Sequence, residues 1–314
     1  MKLQTHVPLE KAQNPITYDG HILSLGSCFA EHIGNKLGYY KFQSMGNPFG
    51  ILFHPLAIEN LLSRAIAEKE YTKADVFFLN ERWHCFDGHS ILSHASEETL
   101  LDRLNTGLQQ TRQQIKGASH ILITLGTSWV YRNNASGSVV ANCHKVQQKQ
   151  FTKELLSVDE VVSCLEGITR LIQTNNPLAQ LVFTVSPVRH LKDGFVANQR
   201  SKAHLITAIH KMLKTGSISY FPSYEIMMDE LRDYRFYAED MVHPSELAIT
   251  YIWEKFKDCW VDNKAYPVME KVGEIQRGLS HRPFDPNSDQ HLAFLKALEQ
   301  KMDVLKQTYP FMKF

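Results

Sequence analysis

The chain has 314 residues, 43% of them hydrophobic and 21% charged, and its 34 basic and 33 acidic side chains leave a net charge of +1. That is an ordinary globular balance, in a chain long enough to bury a substantial core without disulfides or metals. It creates no field that would draw in nucleic acid or an anionic membrane. The five cysteines (Cys28, Cys85, Cys143, Cys164, Cys259) are odd in number and lack CxxC spacing, so reduced thiols are expected rather than a disulfide framework. The opening MKLQTHVPLEKAQNPITYDG has no apolar h-region, and no run approaches the ~18 residues needed to span a bilayer. The expected location is the cytoplasm.

In chain order, the apolar run Ile22 to Leu25 stops at Gly26-Ser27-Cys28. Phe29, Ile33 and Leu37 then recur four apart, one face of a helix. A buried strand thus enters a helix through a single glycine and a serine. Further strands are expected at 40–45, 120–125, 180–186 and 217–221, and helices at 55–68, 96–115, 157–174 and 198–214. Ser157 and Glu160 have capping-box spacing, and Asn175-Asn176-Pro177 ends that helix. Strands alternating with helices of this length imply βα units and a parallel sheet covered on both faces. Residues 71–93 and 129–146 read as insertions, the second a hairpin turning at Asn133–Gly137. Near the end, Pro244 is expected at the first helical position of an amphipathic helix. A main domain over 1–262 is then followed by a helical extension over 263–314. HRPFDPNS (281–288) breaks this extension before an apolar stripe of Leu295, Leu298, Met302 and Leu305. The stripe suits a lid over the main domain or a homodimer contact.

Ser27 carries the chemical question. At the carboxyl end of a strand, before a helix N-terminus, it lies where open α/β sheets bind ligands. Its hydroxyl is either an N-cap or a nucleophile whose own N–H serves the oxyanion. A nucleophile needs a base, and Asp240 and His243, three positions apart after the last strand, supply an imidazole with an orienting carboxylate. The pairs His84-Cys85 and Cys143-His144 lack usual zinc spacing. GxSxG, a P-loop and GxGxxG are absent, so no metal or cofactor is implied. His54 before Pro55 reads as structural, Cys28 as packing, and Trp129 and Tyr131 as core or a wall over the site.

GSCFA (26–30), GNPFGILFHP (46–55), TLGTSWVY (124–131), VANCHKV (140–146), TVSPVRHLKDG (184–194) and YFPSYEIMMDELRDYRFYAEDMVHPSE (220–246) carry a resemblance to the GSCFA domain family over roughly residues 20 to 256. That family resembles SGNH (GDSL-like) hydrolases. The resemblance implies a three-layer α/β/α sandwich on a mostly parallel, flavodoxin-like five-stranded sheet, and a serine esterase. Ser27 matches the nucleophile, His243 the base and Asp240 its orienting acid. The expected oxyanion donors are Ser27, a glycine N–H after the second strand (Gly50, then Gly46), and a third group. An asparagine of a Gly-x-Asn motif would be that third donor, but the chain reads Gly126-Thr127-Ser128, leaving Ser128 or Asn142 to replace it. Gly46, Asn47, Gly126, Asn142, His144 and His190, together with Arg189, are the expected substrate contacts on loops after strands; for the last of these loops the other reading is that SPVRH is a capped turn and the histidines satisfy loop backbone. The substrate would be an O-acyl ester of a carbohydrate or other small molecule, with a small acyl group. An acyltransferase with the same triad, or a binding module that has lost catalysis, are the rival readings.

Overall fold

A computed structural model describes residues 4–314. In it β1 (His21–Gly26) leads through Ser27 into α1 (Cys28–Tyr39), followed by β2 (Gln43–Gly46) and α2 (Pro55–Ile66). The first insertion forms a hairpin, β3 (Phe77–Leu79) and β4 (Arg82–His84), before α3 (Glu97–Gly117) and β5 (His120–Leu125). The second insertion is larger than the expected hairpin. To β6 (Trp129–Asn133) and β7 (Val139–Val140) it adds β8 (Phe151–Leu155), making a three-stranded antiparallel sheet ordered β7-β6-β8. Then come α4 (Val158–Asn175), β9 (Gln180–Val185), α5 (Phe195–Leu213) and β10 (Ser219–Phe221). A short α6 (Ser223–Glu225) runs into a π-helical turn, and α7 (Glu246–Trp260), α8 (Tyr266–Ser280) and α9 (Asp289–Thr308) complete the chain.

The main sheet has the order β10-β9-β5-β1-β2, and every neighbouring pair is parallel. Read from β2 this is the flavodoxin-like order 2-1-3-4-5, whose ligand crevice lies where successive connections leave the first strand in opposite directions. Here that is the carboxyl end of β1 beside β5. Alternation along the strands builds two cores. Leu23, Leu25, Ile121, Ile123 and Phe183 face α2 through α5, while Ile22, Leu122 and Val182 face α1, α7 and α8. The result is helix, sheet, helix. Among the described residues, no helix is long and apolar enough to cross a membrane.

Two local readings need correction. α7 starts at Glu246, not at Pro244: Ser245 caps it, its hydroxyl accepting from the Ala248 N–H, and Pro244 pairs with Tyr237 in an isolated bridge instead. The expected strand 40–45 begins only at Gln43, because Tyr40 caps α1 and Lys41 turns the chain in a left-handed conformation (φ 62°). The C-terminal stripe lies partly against its own chain. Leu298 and Leu305 are buried, and Gly278 on α8 leaves the space that the Leu298 methyls fill, but Leu295 remains 40% exposed. Met269, Val272 and Ile275 of α8 join the core under α1.

Candidate active site

β1 reaches the crevice through Gly26, whose backbone lies so close to β5 that a Cβ would sit 2.1 Å from the Thr124 carbonyl oxygen, and whose φ of 128° favours glycine. Ser27 follows at the N-cap position of α1. Its backbone is extended (φ −70°, ψ 175°), as a cap requires, yet its side chain caps nothing. The residue is 0% exposed, and its Oγ is buried with no hydrogen-bond partner. Capping therefore does not account for this hydroxyl. Its backbone N–H is not free either: it donates to Thr124 O at 3.0 Å, extending the β1–β5 ladder, so the expected donor is committed.

Asp240 and His243 do come together. The two-residue gap closes a turn in which Asp240 Oδ1 accepts from the Val242 and His243 N–H groups, both at 2.9 Å, while Oδ2 lies 2.6 Å from His243 Nδ1. These bonds, the His243 N–H first, hold the Asp240 carboxyl down at about 2. With Nδ1–H given to the carboxylate, Nε2 is left as the basic nitrogen. The Arg189 N–H donates to Val242 O at 3.1 Å and ties this loop to the turn after β9. That bond places the pair at the carboxyl end of the sheet, the end at which Ser27 lies. The Ser27–His243 hydrogen bond itself is not made.

The floor comes from β5 and α5. Gly126 N–H and Thr127 N–H both donate to Phe53 O, at 2.7 and 3.0 Å. A Cβ on Gly126 would meet His190 Nε2 at 3.2 Å and Ser27 Cβ at 3.3 Å, so these three residues are in van der Waals range of one small space. His190 is half-buried, its Nε2 is buried without a partner, and burial followed by the charge of Lys202 brings its pKa down to about 3, keeping the imidazole neutral. Lys202 is 1% exposed and donates 2.7 Å bonds to Gly126 O and Ser186 O, bridging the ends of β5 and β9. Burial lowers its pKa to about 7. On the β2 side, Asn47 Oδ1 accepts the Gly26 N–H at 2.8 Å, and its buried Nδ2 is unpaired. Sequence reasoning missed Phe53 and Lys202. The signal for Lys202 was there: it shares a helical stripe with Leu205, Ile209 and Met212, all buried, where a lysine is out of place.

The other expected site residues divide. Gly46, Asn47 and Gly50 line a groove of about 690 Å³ beside α1, with Glu31, Asn35 and Arg103 on its rim. Gly50 is no free donor, because its N–H closes a turn onto Asn47 O at 2.8 Å. Ser128 turns away: its N–H and hydroxyl both bond to Ser201 on α5, so it does not replace the missing asparagine. Asn142 and His144 belong to the insertions instead. Asn142 Oδ1 accepts the His144 N–H, and His144 Nε2 donates to Cys85 O at 2.7 Å in a cluster with His84 and Phe86. Tyr131 and Trp129 lie under the Lys153 ammonium. His54, as expected, is structural: Nδ1 caps α2 and Nε2 donates to Val140 O. Among the described residues, no three His, Cys, Asp or Glu side chains are grouped to hold a metal.

Residues 21–256 match the family model described as GSCFA family, and residues 272–314 match that described as GSCFA domain protein, C-terminal domain. No curated protein matches the chain.

Proposed function

The chain belongs to the GSCFA family, and we propose that it is a serine hydrolase of SGNH type that cleaves a small O-acyl ester. One observation carries this reading. A buried serine hydroxyl without a partner stands at the sheet's switch point, and the loop tied to the turn after β9 at the same end of the sheet carries a histidine whose Nδ1 is held 2.6 Å from a carboxylate. A hydroxyl kept unsatisfied in the interior costs free energy, and functional sites are where such costs are retained.

In this reading Ser27 Oγ forms a bond to the acyl carbon as its proton passes to His243 Nε2. The carbonyl π pair moves onto oxygen. Collapse of that intermediate expels the alcohol, which takes the proton from His243, and water repeats the sequence to release the acid. Asp240 keeps the imidazole in the tautomer that can accept a proton. The space beside Gly126 is narrow, since a Cβ there would lie 3.2 Å from His190 Nε2 and 3.3 Å from Ser27 Cβ, and this supports a small acyl group over a long one. A carbohydrate or metabolite alcohol would then lie in the open groove past Asn47.

A catalytically silent binding module is the second reading. It is favoured by the committed donors, Ser27 N–H on Thr124 and Gly50 N–H on Asn47. The test is labelling with a fluorophosphonate together with turnover of p-nitrophenyl acetate. The parent protein should do both and Ser27→Ala neither; turnover at the parental rate in Ser27→Ala removes the serine from the mechanism. Product analysis with added alcohols separates hydrolysis from acyl transfer.

A further inference from the structure

The donors that the fold would ordinarily offer an oxyanion are occupied here, which leaves a specific gap. Ser27 N–H bonds to Thr124 O, Gly50 N–H to Asn47 O, and the Ser128 hydroxyl to Ser201. Near the Gly26-Ser27 junction a different donor is buried and unpaired, Nδ2 of Asn47. We infer that the Asn47 carboxamide is an oxyanion donor of this site, taking the role of the asparagine absent from Gly126-Thr127-Ser128. The inference rests on the reading of Ser27 as the nucleophile.

Three features argue that this amide is held for a ligand. Its orientation is set by chemistry: the end that accepts the Gly26 N–H at 2.8 Å must be oxygen, so the other end is the NH₂. Its backbone is fixed on both sides, the N–H donating to Ser24 O at 2.9 Å and the carbonyl accepting from Gly50 at 2.8 Å. It also has a φ of 42°, a left-handed conformation that asparagine tolerates better than most residues. The amide therefore cannot swing to another partner without giving up the Gly26 bond. Buried amide N–H groups are nearly always paired in folded proteins. This one borders both the serine junction and the open groove.

The step it serves is the first. As the Oγ–C bond forms and the Oγ proton moves to His243, the carbonyl π pair becomes a localised oxyanion charge. The Asn47 N–H groups would donate to that oxygen. They contribute most when the charge is largest, so they act on kcat rather than on substrate affinity.

Asn47→Asp tests the donor while keeping the Oδ1 acceptor that holds Gly26, and Asn47→Gly keeps the left-handed backbone without introducing a charge. With p-nitrophenyl acetate, each should lower kcat by ~10²–10³-fold with KM within a few-fold of the parent. Fluorophosphonate labelling should slow in parallel, and the melting temperature of Asn47→Asp should stay near the parent's. If the parent labels and turns over while Asn47→Asp matches its kcat, this inference fails and the reading of Ser27 stands. If Asn47→Gly alone keeps parental kcat, the loss in Asn47→Asp is charge repulsion, and the inference fails again. A parent that neither labels nor turns over overturns both.

Discussion

Replacing Lys202 by methionine should change the pH dependence of stability in a way that its surroundings specify. The ammonium is 1% exposed, and its bonding partners are two carbonyls with no carboxylate among them, so burial lowers its pKa from 10.5 to about 7. Between those values the unfolded chain holds a proton that the native state has lost. Stability must then rise with pH across that window, and below pH 7 this group destabilises the fold by a constant amount. At 1.36 kcal/mol per pH unit, the interval from 10.5 to about 7 corresponds to about 5 kcal/mol. Methionine removes that penalty but leaves Gly126 O and Ser186 O without a donor, at about 1–3 kcal/mol each. The two effects nearly cancel at pH 7, so the absolute difference is a poor readout and the slope is the useful one. The unfolding free energy of the parent minus that of Lys202→Met, from urea titrations at fixed pH, should rise by about 2 kcal/mol between pH 7 and pH 9. Cysteine and tyrosine groups that titrate above pH 8 are common to both proteins and drop out of the difference. A flat difference would refute the argument: the two carbonyls would then hold the ammonium charged throughout.

Two further substitutions probe the proposed catalytic couple and the scaffold. Asp240→Asn places an amide where His243 Nδ1–H now finds a carboxylate oxygen at 2.6 Å, which favours the tautomer with no base at Nε2. Turnover of p-nitrophenyl acetate should fall by ~10³–10⁴-fold with the fold intact by circular dichroism, and parental turnover would show that the pair is not the base. Ser157→Ala removes the hydroxyl that accepts the Glu160 N–H at 3.2 Å and should cost about 1 kcal/mol by urea titration, with activity unchanged. An unaltered midpoint would mean that Glu160 alone secures the start of α4.

The fold was legible because the forces that set it are local and periodic. Runs such as ILITL are apolar on both alternations only if both faces of the sheet are covered, and β5 is buried along its whole length. The Ser157–Glu160 box, the Asn175 stop and the Pro55 start each act within four residues, and each marks its helix to within a residue. What failed had weaker periodicity. β8 (FTKEL) has only Phe151 fully buried and exists because β6 offers it an edge, a tertiary circumstance that its own residues do not announce. Lys41 turned the start of the second expected strand because α1 needed a left-handed residue after its cap.

The candidate site was legible in part, and the boundary follows the same rule. Asp240 and His243 find each other within a single turn, so their spacing was informative. The oxyanion donors are a matter of which N–H groups the surrounding backbone has already used, and that depends on register between distant strands. Ser27 N–H is taken because Gly26 pairs with Thr124, almost a hundred residues on, and Ser128 is taken because α5 carries Ser201 opposite it. Reading a motif position by position carries over the residue type but not its hydrogen-bond state. The groups the fold leaves unpaired in this crevice are Ser27 Oγ, Asn47 Nδ2 and His190 Nε2, a state that the motifs containing them do not specify. Because Ser27 is wholly covered, the proposed acylation also requires a neighbouring segment to shift when substrate binds.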